Sequence, residues 1–254
     1  MGKEFFDISI PLDPHGPQPR AFGAESAVAI TLGDTRTGSS VNFERYAFSP
    51  HCSGTHTECV GHITHERISV RARLDDIIIP ALLVSVGSDP HSSEPYAARE
   101  SGDLLLTAER IEESLNAVSL DHRKTLDAGA LVVRTLPNDE RKLSAVYDET
   151  SIPPYFTDQA MDLIADLGVK HLLVDLPSID RISDGGILSN HRKFWNVPLG
   201  SFEAGESSRR NATITELIYV PNTVPDGAYQ LNLQIAPFEA EATPSRPILM
   251  RERQ

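Results

Sequence analysis

The chain has 254 residues, of which 40% are hydrophobic and 23% are charged, and its formal net charge is -13 with a pI of about 5.1. This length suits one domain with a sizeable core, and the acidic balance argues against non-specific binding of nucleic acid or of an anionic membrane. No stretch approaches the roughly 18 apolar residues of a membrane span, and the two cysteines make no disulfide scaffold. The N-terminal residues lack the apolar region of a secretory signal, so we expect a cytoplasmic protein.

The N-terminal segment, up to position 50, contains several prolines and few helical signals, which predicts loops and short strands wrapped around a core. Further along, short continuous apolar runs at 80–87, 129–136 and 171–178 predict strands that are covered on both faces. Strands are also expected at 213–221 and at 229–237, where apolar and polar residues alternate in the second of the two.

Helices are expected before two of these strands. They cover 107–118 and 157–167, with Thr107 and Thr157 as N-caps and Gly168 as the end of the second. The order of helices and strands predicts an α/β fold. No composition shift indicates a boundary, so we expect a single domain over the whole chain.

The stretch "SPHCSGTHTECVGHIT", which begins at Ser49, holds three histidines, a glutamate and both cysteines. A glycine and two β-branched threonines argue against a helix here. In an extended segment, residues i and i+2 project from the same face, so His56 and Glu58 can face one ion. A loop can bring His51 back to that ion, and His62 is placed either to ligate it or to act as an acid or base beside it. Imidazole and carboxylate ligands suit zinc, manganese or iron(II).

Two other interpretations of this stretch stay open. A thiol site centred on Cys52 or Cys59 would need a thiolate that a neighbouring imidazole activates. Alternatively, the histidines belong to a polar loop with a structural role, because a single loop histidine is usually solvated or hydrogen-bonded within the fold.

Two further candidates lie in the second half of the chain. Glu216 is inside the strand predicted at 213–221, and a buried carboxylate is costly unless it is paired or binds metal. The alternative is that it faces solvent from an edge strand. His191 follows a Gly-Gly turn, and its alternative is an ordinary core or surface histidine. The nearby Trp195 suits packing as well as contact with a substrate.

The residues around these candidates resemble the cyclase family, the group that contains bacterial kynurenine formamidase and isatin hydrolase. "HCSGTHTECVGHI" resembles the family pattern His-x-Gly-Thr-His-x-Asp-x-Pro-x-His. Three other segments, "FFDISIPLD", "VDLPSIDRISDGG" and "ITELIYVPNTVPDGAYQLNLQIAP", resemble further parts of the family, so the resemblance covers nearly the whole chain.

The resemblance implies a swivelling β/β/α-type single domain with a mixed central sheet, commonly assembled as a homodimer or homotetramer. It also implies that His56, Glu58, His191 and Glu216 bind metal, that Glu58 bridges two ions where two are present, and that His62 transfers protons. In the family the site holds one or two divalent ions, usually zinc and sometimes manganese.

Three departures from the family pattern mark a divergent branch. Cys52 occupies the position of the first ligand histidine, and His51 stands one residue earlier. We predict that His51 reaches the metal through a bulge, with thiolate ligation by Cys52 as the alternative. Glu58 replaces the family's aspartate, which lengthens the side chain by one methylene. Cys59 and Val60 replace a small residue and a proline.

These inferences predict a metal-dependent hydrolase that cleaves a C–N bond in a small amide, a formamide (as an arylformamidase does) or a cyclic amide. The metal would activate water as hydroxide and polarise the carbonyl, and His62 would pass a proton to the leaving nitrogen. Two alternatives stay open: a catalytically impaired metal-binding protein, and a lyase or dehydratase that uses the same site. The segment before position 50 and the loop at 195–205 are expected to shape the pocket.

Overall fold

The computed structural model describes residues 2–118 and 122–252. The strands are β1 (Lys3–Asp7), β2 (Arg20–Ala21), β3 (Val28–Gly33), β4 (Phe43–Ala47), β5 (His56–Cys59), β6 (Ile79–Gly87), β7 (Leu105–Leu106), β8 (Ala130–Leu136), β9 (Val146–Tyr147), β10 (Tyr155–Phe156), β11 (His171–Val174), β12 (Thr213–Glu216), β13 (Gly227–Ile235) and β14 (Ala242–Glu252). The helices are α1 (Ala108–Val118), α2 (His122–Leu126), α3 (Asp158–Asp166) and α4 (Ser189–Trp195). Within these described ranges no helix is long and apolar enough to cross a membrane.

Seven of the strands close into a barrel. Their order around the ring is β14–β13–β6–β8–β11–β12–β5, and β5 pairs back onto β14, while β1 lies along β14 outside the ring. β6, β8, β11 and β12 are parallel to one another, and the remaining pairings of the ring are antiparallel. The predicted α/β class with a mixed central sheet is confirmed. The closure of that sheet into a barrel is a finding of the structure.

The apolar strands are buried on both faces, as their continuous apolar runs predict. On β6, Ala81 and Leu83 belong to an apolar cluster inside the barrel with residues of β8, β13 and β14. The alternate residues Leu82 and Val84 belong to the outer cluster, which includes residues of α1, α3 and α4. Burial of one such large side chain stabilises the fold by roughly 1.5–3 kcal/mol, so the helices and the barrel interior hold the parallel strands from both sides.

Both predicted helices are confirmed, and their caps explain where they begin. The hydroxyl of Thr107 accepts the backbone N–H of Arg110 at 3.2 Å, and the hydroxyl of Thr157 accepts that of Ala160 at 3.1 Å. Each bond satisfies a donor that the first turn of a helix leaves unpaired. Gly168 follows α3 with a left-handed φ of 76°, which glycine adopts without strain. The short helix α4 is not among the predictions.

Two predicted strands end earlier than expected. β12 stops at Glu216 because the next residue, Leu217, takes a left-handed φ of 54°. The N–H of Leu217 instead donates to the carbonyl of Leu176 at 2.8 Å. The run at 171–178 likewise leaves the sheet after Val174. Both strands therefore end close together, at the edge of the barrel where the candidate site lies.

The long strand β14 is missing from the predictions because it contains Pro244 and Pro247. Proline cannot donate to a sheet and is normally confined to edges or bulges. Here Pro244 pairs with His56 of β5, and its carbonyl accepts the N–H of Ala236 at 3.1 Å. β14 thereby provides the pairing that closes the ring.

β3 and β4 form a separate antiparallel hairpin outside the barrel. Large apolar side chains on it are 43–56% exposed, namely Val28, Ile30, Leu32, Phe43 and Tyr46. Side chains alternate between the two faces of a strand, and the pairing of Ile30 with Arg45 puts Val28, Ile30 and Phe43 on one face, which presents apolar surface to solvent.

His171, at the start of β11, is a buried histidine outside the candidate site. Its Nδ1 lies 2.8 Å from the hydroxyl oxygen of Thr213, and its Nε2 lies 3.1 Å from a carboxylate oxygen of Asp76. Burial disfavours the charged imidazole and lowers the pKa of His171 to about 4. In the unfolded chain the same group has a pKa of about 6.5.

We expect His171 to make the protein sensitive to acid. Between about pH 6.5 and about pH 4 the unfolded state binds more protons than the folded state, so the free energy of unfolding falls as pH falls. A shift of this size corresponds to about 3 kcal/mol when complete. Urea titrations of chelator-treated protein at about pH 7 and about pH 4.5 should show a smaller loss in His171→Gln, whose side chain is uncharged at both pH values. Equal losses in the two proteins would contradict the prediction.

Candidate metal centre

The candidate site is built on the pairing of two short strands. β5 runs antiparallel to β12 with His56 opposite Glu216 and Glu58 opposite Ile214. Because side chains alternate along a strand, His56, Glu58 and Glu216 share one face of this pair. Thr57 projects from the other face, where its hydroxyl lies 2.8 Å from that of Thr215. The segment is extended, as predicted, and the alternation separates the ligand-type residues from the barrel interior.

A glycine and a threonine fix the entry into β5. Gly54 has a left-handed φ of 92°, and a side chain there would crowd the backbone carbonyl of Ile10 at 3.1 Å. The hydroxyl of Thr55 donates to the carbonyl of Leu217 at 2.5 Å and accepts the N–H of Ile10 at 2.7 Å. The Gly-Thr pair therefore fixes the start of β5 to the residue that follows Glu216.

Glu58 is the central residue of the cluster and is fully buried. Its Oε1 lies 3.0 Å from Nε2 of His191, and its Oε2 lies 3.0 Å from Nδ1 of His51 and 3.9 Å from Nε2 of His62. Burial opposes ionisation of this carboxyl, but the surrounding imidazoles outweigh burial and hold the pKa of Glu58 well below its usual range. Glu58 is therefore ionised at neutral pH.

Two buried polar atoms of the cluster lack a hydrogen-bond partner among the described residues. Nδ1 of His56 faces the carbonyl of Gly54 at 3.2 Å, which assigns its proton to that nitrogen and leaves Nε2 as a lone pair 3.5 Å from Glu216. This Nε2 is unpartnered, and so is Oε2 of Glu58, whose approach to His51 is not in hydrogen-bonding alignment. Buried polar atoms are normally satisfied, so two unpartnered acceptors side by side point to a cation.

Glu216 adds a second buried carboxylate. Its Oε1 accepts the N–H of Ile179 at 2.9 Å and lies 3.8 Å from Nε2 of His191. Burial and the nearby charge of Glu58 raise the pKa of Glu216 to about 8. Burial, together with the neighbouring His51, also lowers the pKa of His56 to about 4. The protein alone thus keeps Glu216 protonated and His56 neutral, and a divalent cation would favour the ionised form of Glu216.

The side chains form two overlapping sets of three ligands. One set is His51, Glu58 and His62, and the other is His56, Glu58 and Glu216; within each set the ligand atoms lie within 4.8 Å of one another. The two unpartnered acceptors and this donor chemistry fit a divalent metal. Because Glu58 belongs to both sets, the arrangement accommodates one ion or two.

The positions of His51 and Cys52 distinguish the two candidates for the first metal ligand. A short 3-10 turn over Pro50–Cys52 places the ring of His51 at 4.3 Å from that of His62 and 5.2 Å from that of His56, measured between ring centroids. Cys52 is buried beside the site but belongs to neither ligand set of the described residues.

We therefore expect His51→Ala to lower zinc affinity by more than about 100-fold, since a lost ligand should exceed the 10–100-fold typical of a lost outer-shell partner. Cys52→Ala should retain zinc, because its sulfur is in neither ligand set. Elemental analysis and chelator competition on the two variants measure this directly. Loss of zinc in Cys52→Ala alone would instead assign the thiolate as the first ligand.

His62 is the most exposed imidazole of the cluster, with 29% of its side chain accessible. It lies on a 3-10 turn over Val60–Ile63 and lines a cavity beside the cluster. Burial and the neighbouring imidazoles lower its pKa to about 4, against the opposing charge of Glu58. His62 is therefore neutral at pH 7 and its Nε2 can accept a proton.

The cluster lies at the floor of a cavity of about 890 Å³. The segment before position 50 contributes to its wall, as expected, through Phe22, Gly23 and Ser49. The expectation that residues 195–205 shape it is wrong: Trp195 is fully buried in the outer core, its Nε1 donates to the carbonyl of Ala212 at 3.0 Å, and none of these residues lines the cavity. Further lining comes from 148–150 and from residues between 178 and 188.

Asp180 is a residue of the site that is not among the predicted candidates, although it lies within the segment "VDLPSIDRISDGG". Its Oδ2 lies 2.5 Å from Nδ1 of His191, which is buried on α4. Asp180 and Glu58 outweigh burial and raise the pKa of His191 well above its usual value. A carboxylate eleven residues before a candidate ligand histidine was the only signal for Asp180 in the sequence.

A closed barrel with a buried group of imidazoles and carboxylates under a cavity has the form of a metalloenzyme active site. The model of the Cyclase family, described as "Putative cyclase", matches residues 6–181. The chain belongs to this family, so the resemblance inferred from its motifs is confirmed. The match includes His51, His56, Glu58 and His62 and ends before the second half of the cluster.

Solved structures share the fold. One is a predicted metal-dependent hydrolase from Bacillus stearothermophilus, 17% identical, covering 98% of this chain and 99% of that chain, with a TM-score of 0.62. Another is an isatin hydrolase bound to the product analogue thioisatinate, 18% identical, covering 99% and 93%, with a TM-score of 0.65. Isatin hydrolase A from Ralstonia solanacearum is 16% identical, covering 98% and 92%, with a TM-score of 0.66. No curated protein matches the chain.

Proposed function

We propose that this protein is a metal-dependent hydrolase that cleaves the C–N bond of a small amide, with a cyclic amide as the first substrate class and aryl formamides as the second. The observation that carries the proposal is the pair of unpartnered buried acceptors, Nε2 of His56 and Oε2 of Glu58, in a cluster at the floor of a cavity. The likeness to isatin hydrolases supports the cyclic amide, because isatin is one.

The residues divide into ligands and a proton carrier. His56, Glu58 and Glu216 would hold the metal, and His51 shares the other ligand set with Glu58. His191 belongs to neither set, but its Nε2 lies 3.0 Å from Oε1 of Glu58, so we propose it as a further ligand. A divalent ion bound there, zinc or manganese by its ligand chemistry, supplies activation of water and polarisation of the carbonyl. Glu58 and Glu216 balance its charge in a buried setting.

His62 performs the proton transfer in this proposal. Its Nε2 lies 3.9 Å from Oε2 of Glu58 and beside the cavity, so it can reach both the attacking water and the leaving nitrogen. A neutral imidazole accepts the proton of the water and returns it to the nitrogen as the C–N bond breaks. The two steps leave His62 in its starting state.

Metal-free protein reconstituted with Zn²⁺ or Mn²⁺ tests the proposal against isatin, N-formylaniline and a simple lactam, in water enriched in ¹⁸O. We expect metal-dependent turnover of isatin or N-formylaniline, with one ¹⁸O in the acid product. Full metal occupancy without turnover of any substrate would instead support a metal-containing binding protein. Product that carries no ¹⁸O would support a lyase or dehydratase.

We also propose that the protein is a homodimer or homotetramer, with the exposed hairpin of β3 and β4 as its contact surface. The support is the exposed apolar surface on one face of this hairpin, which includes Val28, Ile30 and Phe43. Light scattering of the purified protein gives its mass directly. A monomer at micromolar concentration would contradict this proposal.

A further inference from the structure

His191 is held by one oxygen of Asp180 through two contacts. Oδ2 accepts the backbone N–H of His191 at 3.1 Å and faces its Nδ1 at 2.5 Å. The two residues are 1% and 2% exposed, so water does not compete for these contacts. A carboxylate oxygen at this position fixes a proton on Nδ1, which frees the other ring nitrogen to act as a ligand.

That other nitrogen points into the candidate metal centre. Nε2 of His191 lies 3.0 Å from Oε1 of Glu58 and 3.8 Å from Oε1 of Glu216. The proton that Asp180 fixes on Nδ1 thus determines which nitrogen faces the two carboxylates. His56 differs, because its Nδ1 is held by the neutral backbone carbonyl of Gly54. His51 also has a carboxylate on the far side of its ring, but Glu241 lies 3.5 Å away and is 45% exposed, whereas the partner of His191 is close and buried.

A second layer holds Asp180 itself. Its Oδ1 accepts the phenol O–H of Tyr96 at 2.9 Å and the backbone N–H of Asn190 at 2.8 Å. Tyr96 is 5% exposed, and its oxygen in turn accepts the N–H of Arg181 at 3.1 Å. Both oxygens of the carboxylate are thus engaged, and the carboxylate cannot rotate away from His191 without breaking several bonds.

We propose that Asp180 and Tyr96 are positioning residues of the metal centre: Asp180 sets the tautomer and orientation of His191, and Tyr96 holds Asp180 in place. A carboxylate behind a ligand histidine makes the imidazole a stronger ligand and fixes its ring. The inference rests on the proposed function only in requiring a metal at His191, and it holds whether or not the bound protein turns over an amide.

Metal affinity provides the test, with Zn²⁺ and Co²⁺ measured by chelator competition on the full-length protein. Asp180→Asn keeps the size of the side chain and loses the charge, and it should weaken binding by about 10–100-fold. Tyr96→Phe removes one hydrogen bond to Asp180 and should weaken binding by about 2–10-fold. Both variants should also change the visible absorption of the Co²⁺ form, which reports ligand geometry.

Asp175→Asn is the matched control. Asp175 is another buried carboxylate close in sequence, 1% exposed, and it binds Lys142 at 2.7 Å and the N–H of Thr135 rather than any residue of the cluster. We expect this variant to unfold at a lower temperature and to keep the wild-type affinity for Zn²⁺ and the wild-type Co²⁺ spectrum.

Wild-type affinity and spectrum in both Asp180→Asn and Tyr96→Phe would overturn the inference, and so would an equal loss of affinity in Asp175→Asn. If Asp180→Asn fails to fold, Tyr96→Phe decides alone, because it keeps the carboxylate. Failure of the proposed function is visible separately, in a wild-type protein that binds neither metal or that binds metal without hydrolysing any substrate.

Discussion

Glu216→Gln should lose more than about 100-fold in zinc affinity, beyond the 10–100-fold typical of outer-shell changes, while its metal-free form stays within about 1 kcal/mol of wild-type stability. In the metal-free protein, burial and Glu58 raise the pKa of Glu216 to about 8, so the carboxyl is already protonated at neutral pH. Glutamine copies that neutral state, and its oxygen can still accept the N–H of Ile179. Metal ligation needs the ionised carboxylate, which glutamine cannot supply.

Glu58→Gln should be measured alongside Glu216→Gln, because the pKa values of the two carboxyls are shifted in opposite directions. The imidazoles around Glu58 hold its pKa well below the usual range, so it is ionised without metal and its charge is matched by histidines such as His191. Glutamine at position 58 should therefore lose zinc and also lower the melting temperature of the metal-free protein. Isothermal calorimetry and thermal unfolding with chelator measure the two effects. Equal melting temperatures for the two variants would show that the buried carboxyls do not differ in ionisation.

His62→Ala should lower kcat by about two to four orders of magnitude, the range typical of a lost general acid or base, and leave metal content unchanged. Although His62 shares a possible ligand set with His51, its Nε2 is farther from Oε2 of Glu58, at 3.9 Å against 3.0 Å for Nδ1 of His51, and it faces the cavity. Its imidazole is neutral at pH 7. Single-turnover kinetics and elemental analysis on the same preparation separate the two quantities.

His65→Ala serves as the control for His62→Ala. His65 is three residues away and exposed, and it stacks on Phe202 with 4.9 Å between ring centroids, outside both ligand sets. It should leave kcat and metal content at wild-type values. Loss of metal in His62→Ala would make His62 a ligand and would transfer the proton-carrying role to another residue.

The parts of the site that could be predicted are those set by neighbouring residues. His56 and Glu58 share a face because strand side chains alternate, and this needs only the extended conformation of four residues. The apolar run of β6 likewise predicts burial on both faces. Such features depend on local pattern, and the structure has them as predicted. The roles of the individual ligands stay predictions.

The parts that could not be predicted depend on distant pairings or on unusual backbone conformations. Closure of the barrel depends on β14 pairing with β5. β14 contains Pro244, and a proline argues against a strand in the sequence, so the strand could not be predicted. In the cavity wall between 178 and 188, Ser183 and Leu188 have left-handed φ angles of 70° and 50°. Neither residue type favours this conformation, so the path of the segment could not be predicted. Asp180 contacts His191 only because the fold places α4 next to it, which the spacing of the two residues in the sequence does not indicate.

The strand that completes the barrel is also the strand that carries two of the candidate ligands. β5 is only four residues long, it pairs with β12 on one side and β14 on the other, and Glu216 lies across its first pairing. A bound ion would therefore link β5 to β12, beside the β5–β14 pairing that closes the ring. Local separation of β5 from β12 and release of the ion would become a single cooperative event, whose free energy includes that of metal binding. Metal supply would then set how often the barrel opens as well as whether the site is active.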